Sequence, residues 1–268
     1  MDPATPQEEG PGIETPLNLS SSSGLSTPAI LAEPFMPTHR CVILCHGFLS
    51  DKQSRTNRRL TELLVPQGIA TLRFDWYGMG ESRQHFPNIS IKQCEEQLDG
   101  AFQVLQSRGM DRLGLVGSSF GGLLAILSAP RQHTLKALGL KCPVVDFPEV
   151  LRLDFGPESM ERWKSTNHIP DIVGNGSTVP LPYGFYEECL TYDAYAAIPH
   201  IQAPTLIVHG DQDTTIPRQQ IDRLLATLNT TKQLQLIEGA GHQFGRPEEF
   251  RVMTNLLAQW MVHHLTSQ

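Results

Sequence analysis

Short apolar runs rich in β-branched residues alternate with longer stretches of helical periodicity from residue 40 onward. The runs cover residues 41–45, 69–74, 113–117, 138–142, 206–209 and 234–238, and the helical stretches lie near 54–65, 91–108, 120–129, 217–228 and 247–264. Because the runs are apolar throughout, rather than at every second position, they predict strands that are buried on both faces. Their alternation with helices predicts a mostly parallel sheet, flanked by helices and joined by right-handed crossovers.

The segment before residue 40 has two interpretations. Residues 13–19 and 25–32 are moderately apolar and flank the sequence Ser-Ser-Ser-Ser-Gly. This arrangement predicts a β-hairpin, although the low-complexity serines would also suit a linker over residues 12–38. Pro16 and Pro28 favour edge positions for both strands, because proline cannot donate to a sheet ladder. Residues 1–11 are rich in Pro, Glu and Gly, and we expect them to form a disordered tail.

The strand–helix alternation stops between residues 143 and 198. Prolines punctuate this stretch, which also holds four of the five tyrosines. A structureless loop of this length is implausible in a compact domain, so we interpret residues 143–198 as an inserted lid over one end of the sheet. The predicted core then comprises residues 12–142 and 199–268.

Composition and charge exclude several classes of function. The 268 residues carry a net charge of −7 without a Lys/Arg cluster, which argues against nucleic-acid or anionic-membrane partners. No apolar stretch reaches the roughly 18 residues that a membrane span needs, and no secretory signal is visible. The five cysteines are scattered without zinc-ligand spacing, so we expect a cytoplasmic protein with reduced thiols and no metal. No pattern in the chain predicts an oligomeric state.

The sequence Gly-Ser-Ser-Phe-Gly at residues 117–121 follows a predicted strand and opens an apolar helix. In this context Gly-x-Ser-x-Gly forms a turn so tight that the residues two before and two after the serine must be small. Such a turn lifts the hydroxyl of Ser119 clear of the sheet, at a helix N-terminus. A glycine-rich turn without any chemistry is the alternative interpretation.

A serine hydroxyl needs a base, itself oriented by an acid, before it can act as a nucleophile. Two later loops offer these groups, each placed after a predicted strand. Asp211 and Asp213 follow the strand at 206–209, and His242 lies in a glycine-rich sequence after the strand at 234–238. The order Ser, Asp, His along the chain is the one found in α/β-hydrolases.

These motifs together resemble the α/β-hydrolase superfamily over about residues 12–268. The resemblance rests on His-Gly-Phe at 46–48, Phe-Asp-Trp-Tyr-Gly-Met-Gly-Glu-Ser at 74–82, the serine motif at 117–122, His-Gly-Asp-Gln-Asp at 209–213 and Gly-His at 241–242. Within the superfamily the chain is similar to lid-bearing esterases and serine-aminopeptidase-like hydrolases, in particular to cinnamoyl and feruloyl esterases. The resemblance implies an α/β-hydrolase fold and hydrolase activity, whereas these motifs say little about the substrate.

The resemblance also assigns roles to individual residues. Ser119 matches the nucleophile and His242 the general base. Asp213 matches the acid, because it is the last position of the family's His-Gly-x-x-Asp pattern. Asp211 is the competing acid, and Asp146, after an earlier strand, is a weaker candidate.

An oxyanion hole requires two N–H donors aimed at the developing negative charge. By the same resemblance these are the backbone N–H groups of Phe120, after the nucleophile, and of Phe48. We expect His46 to support the Phe48 loop by hydrogen bonding rather than to catalyse, and Asp75 to anchor the neighbouring loop.

The resulting hypothesis is a carboxylesterase that forms an acyl-enzyme with a small-molecule ester and needs no metal or organic cofactor. Aromatic side chains in residues 143–198 would stack on a feruloyl-type ring, or form the lid's own small core. The same triad serves peptidases, thioesterases, amidases, lactonases and C–C hydrolases, and a non-catalytic member of the fold would bind a small molecule in the same pocket. Residues 143–198 hold nine acids and three bases, which predicts a preference for neutral or cationic esters over polyanionic ones.

Overall fold

The computed structural model describes residues 12–170 and 178–267, so the predicted tail at residues 1–11 lies outside the described residues. The strands are β1 (Ile13–Ser20), β2 (Ser26–Glu33), β3 (Arg40–Cys45), β4 (Ala70–Phe74), β5 (Arg112–Ser118), β6 (Leu135–Lys141), β7 (His168–Ile169), β8 (Val179–Pro180), β9 (Thr205–Gly210) and β10 (Lys232–Ile237). Eight of them form one sheet in the order β1-β2-β4-β3-β5-β6-β9-β10, and β7 pairs with β8 alone. Strand pairs from β4 to β10 across the large sheet are parallel. The predicted mostly parallel sheet is therefore confirmed.

Helices cover both faces of the sheet, as the strand–helix alternation predicts. They are α1 (Arg55–Leu64), α2 (Ile91–Ser107), α3 (Phe120–Ser128), α4 (Phe147–Thr166), α5 (Gly184–Cys189), α6 (Ala194–Ala197), α7 (Arg218–Thr227) and α8 (Pro247–Thr266). One apolar layer joins the sheet to α1 and α8, and the other joins it to the remaining helices. No helix in the described ranges is both long and apolar enough to cross a bilayer.

The N-terminal strands β1 and β2 pair antiparallel around residues 20–26. The expectation that both are edge strands is wrong for β2, which also pairs with β4 from Ala29 to Ala32. Pro28 is tolerated because it stands just before this second ladder begins, and its carbonyl accepts a hydrogen bond from the Asp75 N–H at 3.0 Å. Proline lacks only the donor, so a position where the carbonyl alone is used suits it.

The chain between β6 and β9 contains more regular structure than its prolines suggest. Its longest element, α4, begins at an N-cap formed by Asp146 and bends at Gly156, which has a φ of 70° and precedes Pro157. The Trp163 indole is fully buried and donates to the Leu181 carbonyl at 2.6 Å. Tyr183 and Tyr186 pack on this indole with ring centroids 5.4 and 6.0 Å away.

All five cysteines are buried thiols that form no disulfide. Burial raises the pKa of each of them, that of Cys142 to about 12. They therefore act as small apolar side chains in the core.

Candidate active site

Ser119 occupies the sharp turn between β5 and α3. Its φ of 53° and ψ of −114° are unusual for a residue with a side chain, and strain of this kind concentrates at functional sites. The flanking glycines make the turn possible. A Cβ at Gly117 would lie 2.4 Å from the Gly121 carbonyl oxygen, and a Cβ at Gly121 would lie 2.5 Å from the carbonyl oxygens of Cys45 and His46.

Ser119, His242 and Asp213 form a continuous chain of hydrogen bonds. The His242 Nε2 lies 3.1 Å from the Ser119 Oγ, and the His242 Nδ1 lies 2.8 Å from the Asp213 Oδ2. The Asp213 side chain is fully buried, whereas the His242 side chain keeps 11% exposure. The structure thus brings together three side chains from three separate loops, at the edge of the sheet where the parallel strands end.

Hydrogen bonds hold Asp213 in its ionised form. Burial alone would raise its pKa, but the hydrogen bond and charge of His242 and the backbone N–H of Ile216 together hold the pKa well below its usual range. The Asp213 Oδ1 accepts from the N–H groups of Thr215 and Ile216 at 2.9 and 3.0 Å. A carboxylate that is negative in this position fixes the imidazole tautomer with a proton on Nδ1, which leaves Nε2 free to accept.

The two competing acids make other contacts. Asp211 accepts from the Gly239 N–H at 2.7 Å and ties two loops together. Asp146 accepts from the Glu149 N–H at 2.8 Å as the N-cap of α4. Neither carboxylate hydrogen-bonds to His242 in the described residues.

Cys142 and His209 also lie close to Asp213. The Cys142 Sγ, a carboxylate oxygen of Asp213 and an imidazole nitrogen of His242 lie within 4.8 Å of one another, a spacing that could hold a metal ion. However, the Asp213 carboxylate is already hydrogen-bonded to His242 and to two backbone N–H groups. The His209 Nδ1 is 3.7 Å from the Asp213 Oδ2, and burial lowers the pKa of this imidazole, so it is a neutral neighbour of the acid.

The backbone N–H groups of Phe48 and Phe120 have no protein acceptor in the described ranges. Phe120 is the first residue of α3, where helix geometry leaves N–H groups unpaired. Phe48 follows Gly47 in a turn closed by the Ser50 N–H on the Gly47 carbonyl at 3.3 Å. A Cβ at Gly47 would lie 3.5 Å from the Ser119 Cβ, so this turn runs alongside the serine.

Two buried side chains support the Phe48 turn. The His46 Nε2 accepts from the Trp76 N–H at 3.1 Å, and its Nδ1 lies 2.8 Å from the Gly47 carbonyl oxygen. Burial lowers the His46 pKa to about 4, which keeps the ring neutral. Asp75 accepts from both the N–H and the ammonium of Lys52, at 2.7 and 2.8 Å. These contacts connect the loop after β3 to the loop after β4.

A cavity of about 780 Å³ opens over Ser119 and His242. On the side of α4 its lining is mostly apolar and consists of Phe48, Leu49, Val144, Phe147, Val150, Leu151, Asp154 and Phe155. On the side of α1 and α8 it is mostly polar and includes Ser54, Arg55, Thr56, Ser118, Lys141, Gln243 and Phe250. Sequence reasoning missed Lys141 and Asp154. A charged residue at the end of a buried apolar run was a usable signal for Lys141, but none distinguished Asp154 from the other acids of its segment.

Comparison with known proteins places the chain in a family. The model of the alpha/beta hydrolase family matches residues 42–251. The structure of ferulic acid bound to Est1E from Butyrivibrio proteoclasticus superposes with a TM-score of 0.79 and 22% identity, over 94% of this chain and 100% of that one. An uncharacterized protein from Mycobacterium tuberculosis is 24% identical over 224 residues, which are 82% of this chain and 69% of the relative. The mitochondrial palmitoyl-protein thioesterase ABHD10 of Rattus norvegicus is 23% identical over 180 residues, or 66% of this chain and 59% of the rat protein. With a strand–turn–helix around Ser119 and a family match over most of its length, the chain belongs to the alpha/beta hydrolase family.

Proposed function

We propose that the protein is a serine hydrolase that cleaves carboxylic esters, with Ser119 as nucleophile, His242 as general base and Asp213 as the acid. The observation that carries this proposal is the unbroken hydrogen-bond chain from the Ser119 Oγ through His242 to Asp213. Its geometry matches what acyl transfer by a serine requires, since each side chain is held in the orientation that its role demands.

The reaction proceeds in two halves. The Ser119 Oγ attacks the ester carbonyl while the His242 Nε2 takes the hydroxyl proton, and the negative charge moves to the carbonyl oxygen. The N–H groups of Phe48 and Phe120 stabilise that oxyanion. The intermediate collapses when His242 returns the proton to the leaving alcohol, which leaves the acyl group on Ser119. Water then attacks the acyl-enzyme while His242 takes its proton, and His242 returns that proton to the Ser119 Oγ as the carboxylic acid leaves.

The apolar side of the cavity favours an ester with an apolar or aromatic part. Phe48, Phe147 and Phe155 line it, and the relative solved with ferulic acid shows that this fold can hold an aromatic acid. Trp163 and its two tyrosine neighbours pack on one another instead, so they support a small core of the segment itself. We propose that residues 143–198 act as a lid that supplies the apolar wall.

A thioester is the second candidate substrate, because one relative carries the name palmitoyl-protein thioesterase. The same triad would cleave it by the same two steps. Parallel measurement of an oxygen ester and a thioester with the same acyl group distinguishes the two.

Labelling with a serine-reactive fluorophosphonate tests the proposal. We expect the wild-type protein and a Ser107→Ala control, which alters an exposed serine on α2, to be labelled. Ser119→Ala should stay unlabelled and lose ester turnover by about 10⁴-fold or more. Alanine has the same steric conflict with a positive φ as serine, so the thermal midpoint should stay unchanged. Labelling of Ser119→Ala, or ester hydrolysis at the wild-type rate, would refute the assignment.

A further inference from the structure

Lys141 is a buried cation that faces the cavity without an acidic partner. It is only 6% exposed, and its Nζ donates to the His242 carbonyl oxygen at 2.6 Å. No carboxylate oxygen of the described residues lies within 4.0 Å of it, unlike the ion pairs elsewhere in the chain. An ammonium has three N–H donors, so two remain for another ligand. The Phe244 ring, whose centre lies 5.3 Å from Nζ, and the charge of Asp213 offset part of the cost of burying this ammonium, but no carboxylate pairs with it directly.

Ser118 stands next to Lys141 on the same face of the sheet. The two residues are register partners on the adjacent strands β5 and β6. Gly114 lies on the same face of β5 as Ser118, and Gly139 lies on the same face of β6 as Lys141. This face is directed at α8, because a Cβ at either glycine would touch Met261. Side chains alternate along a strand and neighbouring strands lie about 4.8 Å apart, so Ser118 and Lys141 are neighbours. The Ser118 Oγ is buried and has no hydrogen-bond partner in the described residues.

The N-terminus of α1 completes this side of the cavity. Ser54 is its N-cap, and the first turn carries no acidic residue that would offset the partial positive charge of the helix end. The Arg55 guanidinium lies 3.8 Å from the centre of the Phe250 ring. It too has no carboxylate within 4.0 Å in the part of the chain that the structure describes. Buried Lys141 and exposed Arg55 therefore both line the cavity, each beside an aromatic ring and without a carboxylate partner.

Asp51 and Asp154 line the cavity and Asp213 borders it, but none of these carboxylates forms an ion pair with Lys141 or Arg55 in the described residues. Asp213 is bound to His242 and two backbone N–H groups. Asp51 accepts from the Gln53 N–H at 2.6 Å. Asp154, on α4, lines the same cavity, and its carboxylate is close enough to His242 and Asp213 for their charges to shift its pKa, which burial raises. Burial lowers the pKa of Lys141, and an anion bound beside it would favour its charged form.

We propose that Lys141, Ser118, Arg55 and the N-terminus of α1 form a subsite for a carboxylate, so that the preferred substrates are esters that carry a second, ionised acid group near the scissile bond. This inference rests on the proposed function. It departs from the expectation that the acidic segment 143–198 favours neutral or cationic esters. The electric field of the acidic segment acts on a substrate that approaches from solvent, and salt screens it over about 8–10 Å. The subsite, in contrast, would contact the substrate once it is bound.

Matched ester pairs test the subsite. One pair is para-nitrophenyl hemiglutarate and para-nitrophenyl pentanoate, which share the leaving group and differ by a carboxylate on the acyl chain. A second pair, 4-acetoxybenzoate and its methyl ester, places the carboxylate on the leaving group. We expect the wild type to favour the anionic member of at least one pair by about tenfold or more in kcat/KM, and salt to reduce that preference.

Variants locate the effect. Lys141→Met should bring the preference ratio close to one, and Arg55→Gln should lower it several-fold. The matched controls are Lys136→Met, at an exposed position of β6, and Arg58→Gln, at an exposed position one helical turn from the site. Both should keep the wild-type preference ratio. Lys141→Met also removes a hydrogen bond to the His242 carbonyl, but any loosening of that loop slows both members of a pair, so the ratio isolates recognition.

The outcomes are distinguishable. An active enzyme with a ratio at or below one in both pairs, or an unchanged ratio in both Lys141→Met and Arg55→Gln, overturns the subsite. No Ser119-dependent hydrolysis of any ester refutes the proposed function instead. In that case glutarate alone is the probe, since a ligand that binds the folded state raises the thermal midpoint. Glutarate should do so for the wild type and not for Lys141→Met, and equal behaviour of the two proteins also overturns the subsite.

Discussion

Replacing Lys52 by methionine should destabilise the protein strongly, because it leaves a buried carboxylate without its counter-ion. Lys52 and Asp75 are 4% and 0% exposed, and the ammonium lies 2.8 Å from the Asp75 Oδ2. The same ammonium also contacts Glu81, whose side chain is largely exposed. Methionine retains the apolar stem of lysine, so the substitution removes the charge with little change in packing.

The hydrogen bonds that Asp75 keeps determine how much free energy of unfolding is lost. Asp75 would keep the N–H groups of residues 52 and 81, at 2.7 and 3.0 Å. The attraction that is lost amounts to about 6 kcal/mol at 2.8 Å with an effective dielectric constant of about 20. Removing one partner of a buried pair typically destabilises by about 3–5 kcal/mol. Because two donors remain on Asp75, we expect a loss of about 3 kcal/mol.

Thermal unfolding followed by tryptophan fluorescence measures this loss. In a domain of about this size each kcal/mol shifts Tm by about 2–4 °C. The Tm of Lys52→Met should therefore lie about 6–12 °C below that of the wild type. The control is Lys92→Met, which breaks a 4.0 Å pair whose lysine is 76% exposed and should shift Tm by 2 °C at most. Equal shifts in the two variants would refute the reasoning.

The pH dependence gives an independent check. Burial alone would lower the pKa of Lys52, but its hydrogen bonds to Asp75 and Glu81 raise it above its ordinary value. A raised pKa means that this stabilisation is complete below the unfolded value of about 10.4 and is lost as pH rises through the folded value. The Tm difference between wild type and Lys52→Met should therefore be constant at neutral pH and narrow only at strongly alkaline pH.

Two further substitutions test the site and its turn. Asp213→Asn should lower kcat on a para-nitrophenyl ester by about 10⁴-fold, because the imidazole loses its tautomer and orientation. Asp211→Asn should change kcat by less than tenfold. A larger loss in Asp211→Asn than in Asp213→Asn would assign the role of the acid to Asp211. Gly121→Ala should destabilise by about 1–3 kcal/mol in thermal unfolding, because its Cβ would meet two carbonyl oxygens at 2.5 Å. Gly184→Ala, where nothing lies within 4 Å, should have almost no effect.

The central strands could be predicted because each is short, apolar throughout and buried on both faces. The run at 113–117 corresponds to β5, which extends from Arg112 to Ser118. Ser119 could be identified from the sequence for a related reason. The tight turn around it requires small residues at positions 117 and 121, and this requirement produces the Gly-x-Ser-x-Gly motif. Signals of this kind lie within about ten residues of sequence.

The remaining features depend on contacts that no local pattern records. The position of β2 inside the sheet is set by its pairing with β4, some forty residues later. No helix was predicted over α4, whose sequence contains Pro148 and Pro157, although proline is acceptable in the first turn of a helix and the bend at Gly156 accommodates the second. The proximity of Lys141 and Ser118 follows from strand register, which hydrophobic periodicity alone does not specify.

The backbone conformation at Ser119 sets stability against activity. Its φ of 53° disfavours any residue with a Cβ, by about 1–3 kcal/mol, and glycine would relieve that strain. Glycine would also delete the hydroxyl. Directed evolution that selects for heat resistance alone would therefore favour variants that lack the proposed nucleophile. Each round has to be screened for turnover as well as for stability.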